Sequence, residues 1–294
     1  MNKKLIIVDG HAILHRAFHA LPALTSPGGQ PTGAIYGFFK MIFRLWTDFD
    51  PEYFLVALDA PGPNFRHEKF VGYQAKRPKT DQNLVKQISL IKELLGQANI
   101  ATKDKLGYEA DDVIGTVARK TEKKVPVLIV TGDKDLMQLV DDKINLFLPK
   151  SGLSNGQIVD INFVKEDLGV VPDQVVDYKG LAGDSSDNYP GALGIGPKTA
   201  VKLLNRFSNL DTIYRCLDQI ESSAVRERLI QYRRDVFLSA DLAKIRCRVP
   251  IKIDLGRYQV NEIDIFKLKS VFKDLGFRSL VADLEKKSRQ MNLF

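Results

Sequence analysis

An α/β fold, with a mostly parallel sheet flanked by helices, is the architecture this sequence predicts, on three observations. Short apolar runs alternate with helical periodicity through the first half of the chain, the pattern of repeated strand–helix units. Those runs are continuous rather than alternating, as strands buried on both faces must be. Three of them run into an aspartate: Asp9, Asp59 and Asp133.

The elements follow in order. Residues 5–8, Leu-Ile-Ile-Val, stop at Asp9-Gly10 and read as a buried strand feeding a turn. Ile35, Phe38, Phe39, Ile42, Phe43, Leu45, Trp46 and Phe49 recur at helical spacing, so an amphipathic helix is expected over residues 32–49. Residues 53–58 form a second strand, closed by Asp59. Residues 60–79 are rich in proline, glycine and cations. Asp81 is then placed as the N-cap of a helix carrying Leu84, Ile88, Ile91, Leu94 and Leu95. A helix over residues 109–123 turns Val113, Ile114, Val117 and Ala118 inward. A β-branched strand over 125–130 ends at Thr131-Gly132-Asp133, and 144–148 is expected to be the last strand. From 160 to about 244 the signals change to short helices separated by Gly, Pro and Asn. Pro172 and Pro197 stand at helix starts, where a missing N–H costs nothing. A boundary near Asn155-Gly156 divides a sheet-bearing part, 1–155, from a helical part, 156–294.

Composition narrows the function. With 44% hydrophobic and 9% aromatic residues the chain can bury a core, which excludes general disorder. Two cysteines, Cys216 and Cys247, are too few for a disulfide framework and lack the C-x-x-C spacing of a zinc site. A reducing, cytoplasmic location is therefore expected. The apolar run after Lys4 is too short for a signal peptide, and no stretch approaches the ~20 apolar residues of a membrane span. No membrane partner is expected. An excess of 43 Lys and Arg over 36 Asp and Glu, a net +7, attracts polyanions without identifying them.

The acidic minority is more specific. In a parallel sheet all strand C-termini share one edge, so Asp9, Asp59 and Asp133 are expected to converge there. Glu109-Ala110-Asp111-Asp112, Asp133-Lys134-Asp135 and Asp184-Ser185-Ser186-Asp187 add three dense acidic clusters. A lone aspartate after a strand is usually a turn or N-cap residue, and Asp111 and Asp112 also suit a helix N-terminus. Taken together, packed carboxylates repel and must protonate or find cations. Oxygen ligands without Cys or His favour Mg²⁺ or Mn²⁺. Two such ions about 4 Å apart form the usual clamp for in-line displacement at a phosphate. His11, His15 and His19 share helical spacing, but no acidic helix partner or nearby cysteine completes a zinc motif.

Gly194-Ile195-Gly196, followed by Pro197, Lys198, Thr199 and, one turn on, Lys202, reads as a tight hairpin before a helix. Such a turn can hold a phosphate on backbone N–H groups without reading bases, as in a helix–hairpin–helix. It lacks the spacing of a Walker loop. Arg66, Lys69, Lys76, Arg77 and Lys79, interleaved with Phe65, Phe70 and Tyr73, suit a single strand, whose bases stack while its phosphates are neutralised. A solvated loop with some core aromatics is the alternative.

Val8-Asp9-Gly10-His11, Phe65-Arg66-His67-Glu68, Gly107-Tyr108-Glu109-Ala110-Asp111-Asp112-Val113, Thr131-Gly132-Asp133-Lys134-Asp135-Leu136 and Gly183-Asp184-Ser185-Ser186-Asp187-Asn188 lead in order to the Gly-Ile-Gly hairpin. The set resembles the 5′-nuclease family of bacterial polymerase-I 5′-3′ exonuclease domains, phage 5′-exonucleases and flap endonucleases, over about residues 4–280. The resemblance implies a PIN-like nuclease core, a helical arch over about residues 62–100 and a helix–three-turn–helix module on duplex. It implies metal-dependent 5′-3′ exonuclease and 5′-flap endonuclease activity on DNA in primer removal and repair, leaving 5′-phosphate and 3′-hydroxyl ends. Asp9, Asp59, Glu109 and Asp111 resemble the first metal cluster; Asp133, Asp135, Asp184 and Asp187 the second, with Asp112 between them. Some ligands act through water. Tyr73 and the hairpin residues are implied to contact DNA, with a K⁺ ion bridging hairpin carbonyls to phosphate. Many relatives carry Tyr-Lys in the arch, where this chain has Tyr73-Gln74. Arg66 and one of Lys76 or Arg77, assisted by Arg16, are therefore expected to activate the phosphate. A monomer is expected, with a DNA polymerase as a possible partner. The alternatives are a non-catalytic DNA-binding protein and a PIN-type ribonuclease.

Overall fold

The structure, a computed structural model, describes residues 4–150 and 156–290. Six strands form one sheet: β1 (Leu5–Asp9), β2 (Tyr53–Ala57), β3 (Thr102–Lys103), β4 (Val127–Val130), β5 (Ile144–Pro149) and β6 (Gly156–Val159). Their order is β3-β2-β1-β4-β5-β6. The first five run parallel, as the continuous apolar runs predict, and β6 pairs antiparallel with β5. Residues 144–148 are thus not the last strand, and the sheet continues past the boundary placed near 155; Asn155 itself lies outside the described residues. The four residues of β6, Gly-Gln-Ile-Val, offer two adjacent apolar side chains and no run to read. β3, two residues long, gives no periodic signal either.

The strands alternate between two cores. Ile6 and Val8 point into one, and Leu5 and Ile7 into the other. The first is closed by α1 (Gly10–Ala20), α2 (Gly33–Phe49) and, further along the chain, α4 (Gln82–Gln97). The last helices, Ile265–Asp274 and Arg278–Gln290, return to this layer: Phe272 meets Phe39 at 4.9 Å between ring centroids, and Lys40 pairs with Asp283 at 2.6 Å. They belong with the sheet rather than with the helical part where the sequence placed them. The second core is closed by α5 (Ala110–Thr121) and the helical half, including α6 (Ile161–Leu168), α7 (Val175–Ala182) and α8 (Pro197–Phe207).

Between β2 and α4 the chain forms one short helix, α3 (Phe65–Lys69), then turns. No helical arch stands here among the described residues. Gly72 and Pro78 interrupt any continuation of α3, and α4, the long helix of the stretch 62–100, buries Leu84, Ile91 and Leu95 in the core.

Candidate active site

The strand order makes the site. From β1 the chain moves outward to β2 and β3, then returns to place β4 and β5 on the other side. The crevice between the C-terminal ends of β1 and β4 is the switch point where open α/β sheets bind ligands. Asp9 ends β1 and caps α1, accepting from Ala12 N–H (3.0 Å); its other oxygen accepts from Thr131 Oγ1 (2.8 Å), just past β4. Thr131 also accepts from Asp133 N–H at 2.9 Å, which ties both strand ends together. Asp59, two residues past β2, accepts from Ala110 N–H (2.7 Å) at the start of α5, and its own N–H donates to His11 Nδ1 (3.0 Å). Glu109 is the N-cap of α5, and Asp111 lies in its first turn. These acids line one cleft of about 950 Å³, together with Asp133, Asp187, His15, Tyr73, Arg77 and Lys79.

Burial and mutual repulsion work against these charges. Burial, reinforced by Asp59 and Asp133, pushes the Asp9 carboxyl up to about 7. Burial with Asp133, Asp9, Glu109 and Asp59 raises Asp111 well above the usual range, and no described residue donates it a hydrogen bond. Glu109 is pushed up to about 7, chiefly by burial, despite the opposing Arg66 guanidinium. Among the described residues no three acidic, histidine or cysteine side chains already stand together as a ready-made ion cage. The donor set is nevertheless the right one for a hard divalent cation: several carboxylate oxygens, no thiolate, and repelling charge that a cation relieves.

Three expectations are corrected here. Arg66 is 2% exposed and does not reach a phosphate. Its Nη1 and Nη2 bond to the two oxygens of Asp112 (2.7 and 2.9 Å), its Nε to the Leu242 carbonyl, and Nη1 also meets Glu109 at 2.9 Å. Asp112, 0% exposed, is correspondingly no metal ligand, since its oxygens also accept from Arg246 N–H and Glu109 N–H. The pair is a buried brace that holds Glu109 at the cleft. Tyr73 is likewise buried: its hydroxyl donates toward Glu109 (3.2 Å) and Asp187 (3.3 Å), so it lines the acidic cleft rather than offering a stacking face to solvent.

The other predicted acids divide. Asp187 lies in the cleft, paired with Arg77 at 2.6 Å while half of the Arg77 side chain stays in solvent. Asp135 and Asp184 are brought together off the cleft by Lys179, which pairs with both. Burial, with Asp133 adding repulsion, raises Asp135 to about 7 against the pull of Lys179. Asp184, although burial opposes it, is held below its usual value by Lys179 and by the Ser186 hydroxyl and N–H. Lys179 had no signal in the sequence beyond its place four residues before Gly183. Lys76 is exposed and does not line the cleft, and neither does Arg16, which is half-buried on α1.

The hairpin stands between α7 and α8. Gly191 adopts φ 59°, and a Cβ there would lie 2.3 Å from the Gly183 nitrogen, so the turn closes only with glycine. Gly194 adopts φ 86°. Pro197 opens α8 as predicted. The N–H groups of Gly194 and Gly196 meet no acceptor among the described residues. Ile195 is 2% exposed and its N–H donates to the Ala192 carbonyl (2.8 Å), so neither its side chain nor its N–H is offered to a ligand; Lys198 and Lys202 are exposed and Thr199 half-buried. The Leu193 carbonyl already accepts from Arg228 Nη1 (2.9 Å), which leaves fewer oxygens for a K⁺ ion.

Comparison with known proteins agrees with this geometry. Residues 4–169 match the family described as 5′-3′ exonuclease, N-terminal resolvase-like domain, and residues 170–265 match 5′-3′ exonuclease, C-terminal SAM fold. DNA polymerase I of Bacillus subtilis (strain 168) is 37% identical over 290 residues, 98% of this chain and 33% of that protein. The thermostable DNA polymerase I of Thermus aquaticus is 39% identical over 279 residues, 95% of this chain and 32% of that protein. The chain thus spans about a third of the length of these relatives. Among solved structures, a bacteriophage T5 flap endonuclease in a complex with DNA and metal ions superposes with TM-score 0.70 at 19% identity, over 97% of this chain and 98% of that one. The catalytic core of Rad2 with DNA substrate gives 0.62 at 19%, over 98% and 91%. At such identities the likeness is one of fold. No helix of the described residues is long and apolar enough to cross a membrane.

Proposed function

The chain belongs to the 5′-3′ exonuclease family, and from that premise we propose that it is a divalent-metal-dependent, structure-specific nuclease with 5′-3′ exonuclease and 5′-flap endonuclease action on DNA, serving primer removal and repair. The observation that carries this reading is the convergence of Asp9, Asp59, Glu109, Asp111 and Asp133, from four separate segments, on one cleft. Asp9, Asp59, Glu109 and Asp111 would hold the first of two Mg²⁺- or Mn²⁺-type ions, and Asp133, Asp187, Asp135 and Asp184 the second, the last two being paired with Lys179 in this structure. When bound, the ions supply a nucleophilic hydroxide at neutral pH and offset the charge that develops on the scissile phosphate.

The chain's own groups do the rest. Arg77, half in solvent beside Asp187, binds the phosphate entering the cleft and takes the place of the cation missing at Gln74. Arg66 and Asp112 fix Glu109 and the first turn of α5, acting as positioning residues. Gly194 and Gly196 grip the duplex backbone through N–H groups, with Ile195, whose N–H is held by the Ala192 carbonyl, anchoring the turn, and Lys198, Thr199 and Lys202 beside them; hairpin carbonyls would hold a K⁺ ion. A DNA polymerase that extends to the same nick is the partner proposed, because the relatives that this chain matches over a third of their length are polymerases.

End-labelled 5′-flap, nicked, blunt and RNA-primed duplexes, together with single-stranded RNA, test the reading with Mg²⁺ and with EDTA. Cutting of the flap near its junction, abolished by EDTA, is expected. Preference for single-stranded RNA would make the protein a ribonuclease, and tight flap binding without cutting would make it a non-catalytic binder.

A further inference from the structure

A second cavity, of about 790 Å³, lies behind α3 and is not used by the site described above. α3 faces two ways: Arg66 turns into the buried brace, while Phe65 and Lys69, four residues apart, turn to this cavity. The opposite wall is the segment after the helix Arg233–Ala243, which brings Lys244, Arg246 and Arg248. Four cations thus face one carboxylate, Asp241, which pairs with Lys69 and Arg246. Lys244 and Arg248 are exposed, and no described residue pairs with either side chain.

The floor is aromatic. The Phe65 ring is packed by cations, with the Arg66 and Arg246 guanidinium carbons 4.6 and 5.2 Å and the Lys69 ammonium 5.7 Å from its centroid, and the Tyr108 ring lies 5.9 Å from it. Tyr108 lines both this cavity and the acidic cleft, so the two are adjacent around one side chain.

The Tyr108 ring, with the exposed and unpaired Lys244 and Arg248 beside it, matches one chemistry, an unstacked base with its phosphates. A duplex offers phosphates but keeps its base faces stacked, and would leave Tyr108 unused. The cavity is open to solvent on one side, and its volume leaves room for a nucleotide to lie against its wall. We infer that this cavity is a binding site for single-stranded nucleic acid, taking a nucleotide of the strand that runs past Tyr108 to or from the acidic cleft. The inference rests on the nuclease reading for the source of that strand, and its test is independent of cleavage.

The test is fluorescence anisotropy of the full chain in EDTA, where no cutting occurs, with labelled oligothymidylate and with a blunt duplex, across a range of salt. Lys244→Ala combined with Arg248→Ala removes two exposed, unpaired cations and leaves the core untouched. It should weaken oligothymidylate binding by about tenfold and lower the salt slope by about 1.4, at about 0.7 per phosphate lost, with duplex affinity unchanged. Photo-crosslinking of an oligonucleotide bearing 5-iododeoxyuridine should label the peptide containing Phe65 or Tyr108. Unchanged single-strand affinity and slope in the double variant, or crosslinks that map only elsewhere, would overturn the site. Failure of the wild-type protein to cut a flap in Mg²⁺ would instead count against the nuclease reading and leave the binding result standing.

Discussion

Asp111 and Asp112 are sequence neighbours with opposite fates. Successive residues of a helix point about 100° apart, so α5 sends one carboxylate into the cleft and the other to the Arg66 guanidinium. That division was available only once the partner 46 positions away was known, and a cation in a basic loop reads equally well as a DNA contact. Removing one half of a buried pair strands the other. Arg66→Met should therefore lower stability by about 3–5 kcal/mol in urea unfolding; unaltered stability with slowed cleavage would return Arg66 to the phosphate. Asp111→Asn should slow single-turnover cleavage about a hundredfold, or about 3 kcal/mol, while flap binding persists. Arg77→Ala should slow the same step about tenfold and Lys76→Ala leave it near wild type; the reverse order would reassign the displaced cation. The raised carboxylates also set a pH dependence. Asp9 and Glu109 move from ordinary values of 3.8 and 4.5 up to about 7 on folding, so between those limits the folded protein keeps protons the unfolded chain has released. Metal-free stability must therefore fall as pH rises from about 4 to about 7. Asp9→Asn should flatten that fall by on the order of 1–3 kcal/mol in thermal melts, and an identical profile in wild type and variant would contradict the cause assigned.

The elements that position the site are those whose signals were local. β1, β2, β4, β5, α2 and α5 stand within a few residues of their sequence-based limits, and α4 and α8 begin at the predicted Asp81 cap and Pro197. What escaped had no such signal. β6 is too short and too polar to announce itself, and it joins the sheet only because β5 offers an open edge. The arch, which only the resemblance implied, gives way to α3 and turns where the glycine and proline already noted in residues 60–79 break the run. Lys179 sits on α7, where nothing local marks a bridge between two distant aspartates. The hairpin before α8 was legible because its glycines carry the backbone conformation themselves. Lys198→Ala with Lys202→Ala should weaken duplex binding and reduce its salt slope by about 1.8, at about 0.9 per phosphate, with the rate of bound substrate unchanged. A lost rate at saturating enzyme would place these lysines in the chemistry instead.

At the scale of the molecule, a chain of net charge +7 concentrates carboxylates in one crevice and spreads cations around it. In the proposed reading, that arrangement would draw a polyanion to the crevice, where bound cations would offset the charge of its scissile phosphate. The sheet supplies the crevice, the helical half supplies Asp184, Asp187 and the hairpin, and the last two helices brace the layer behind. Calorimetric titration of metal-free protein with Mn²⁺ tests this most directly. Two bound ions are predicted for the wild type, with at least one lost in Asp9→Asn/Asp111→Asn although the variant remains folded. Equal stoichiometry and affinity in both proteins would contradict the account.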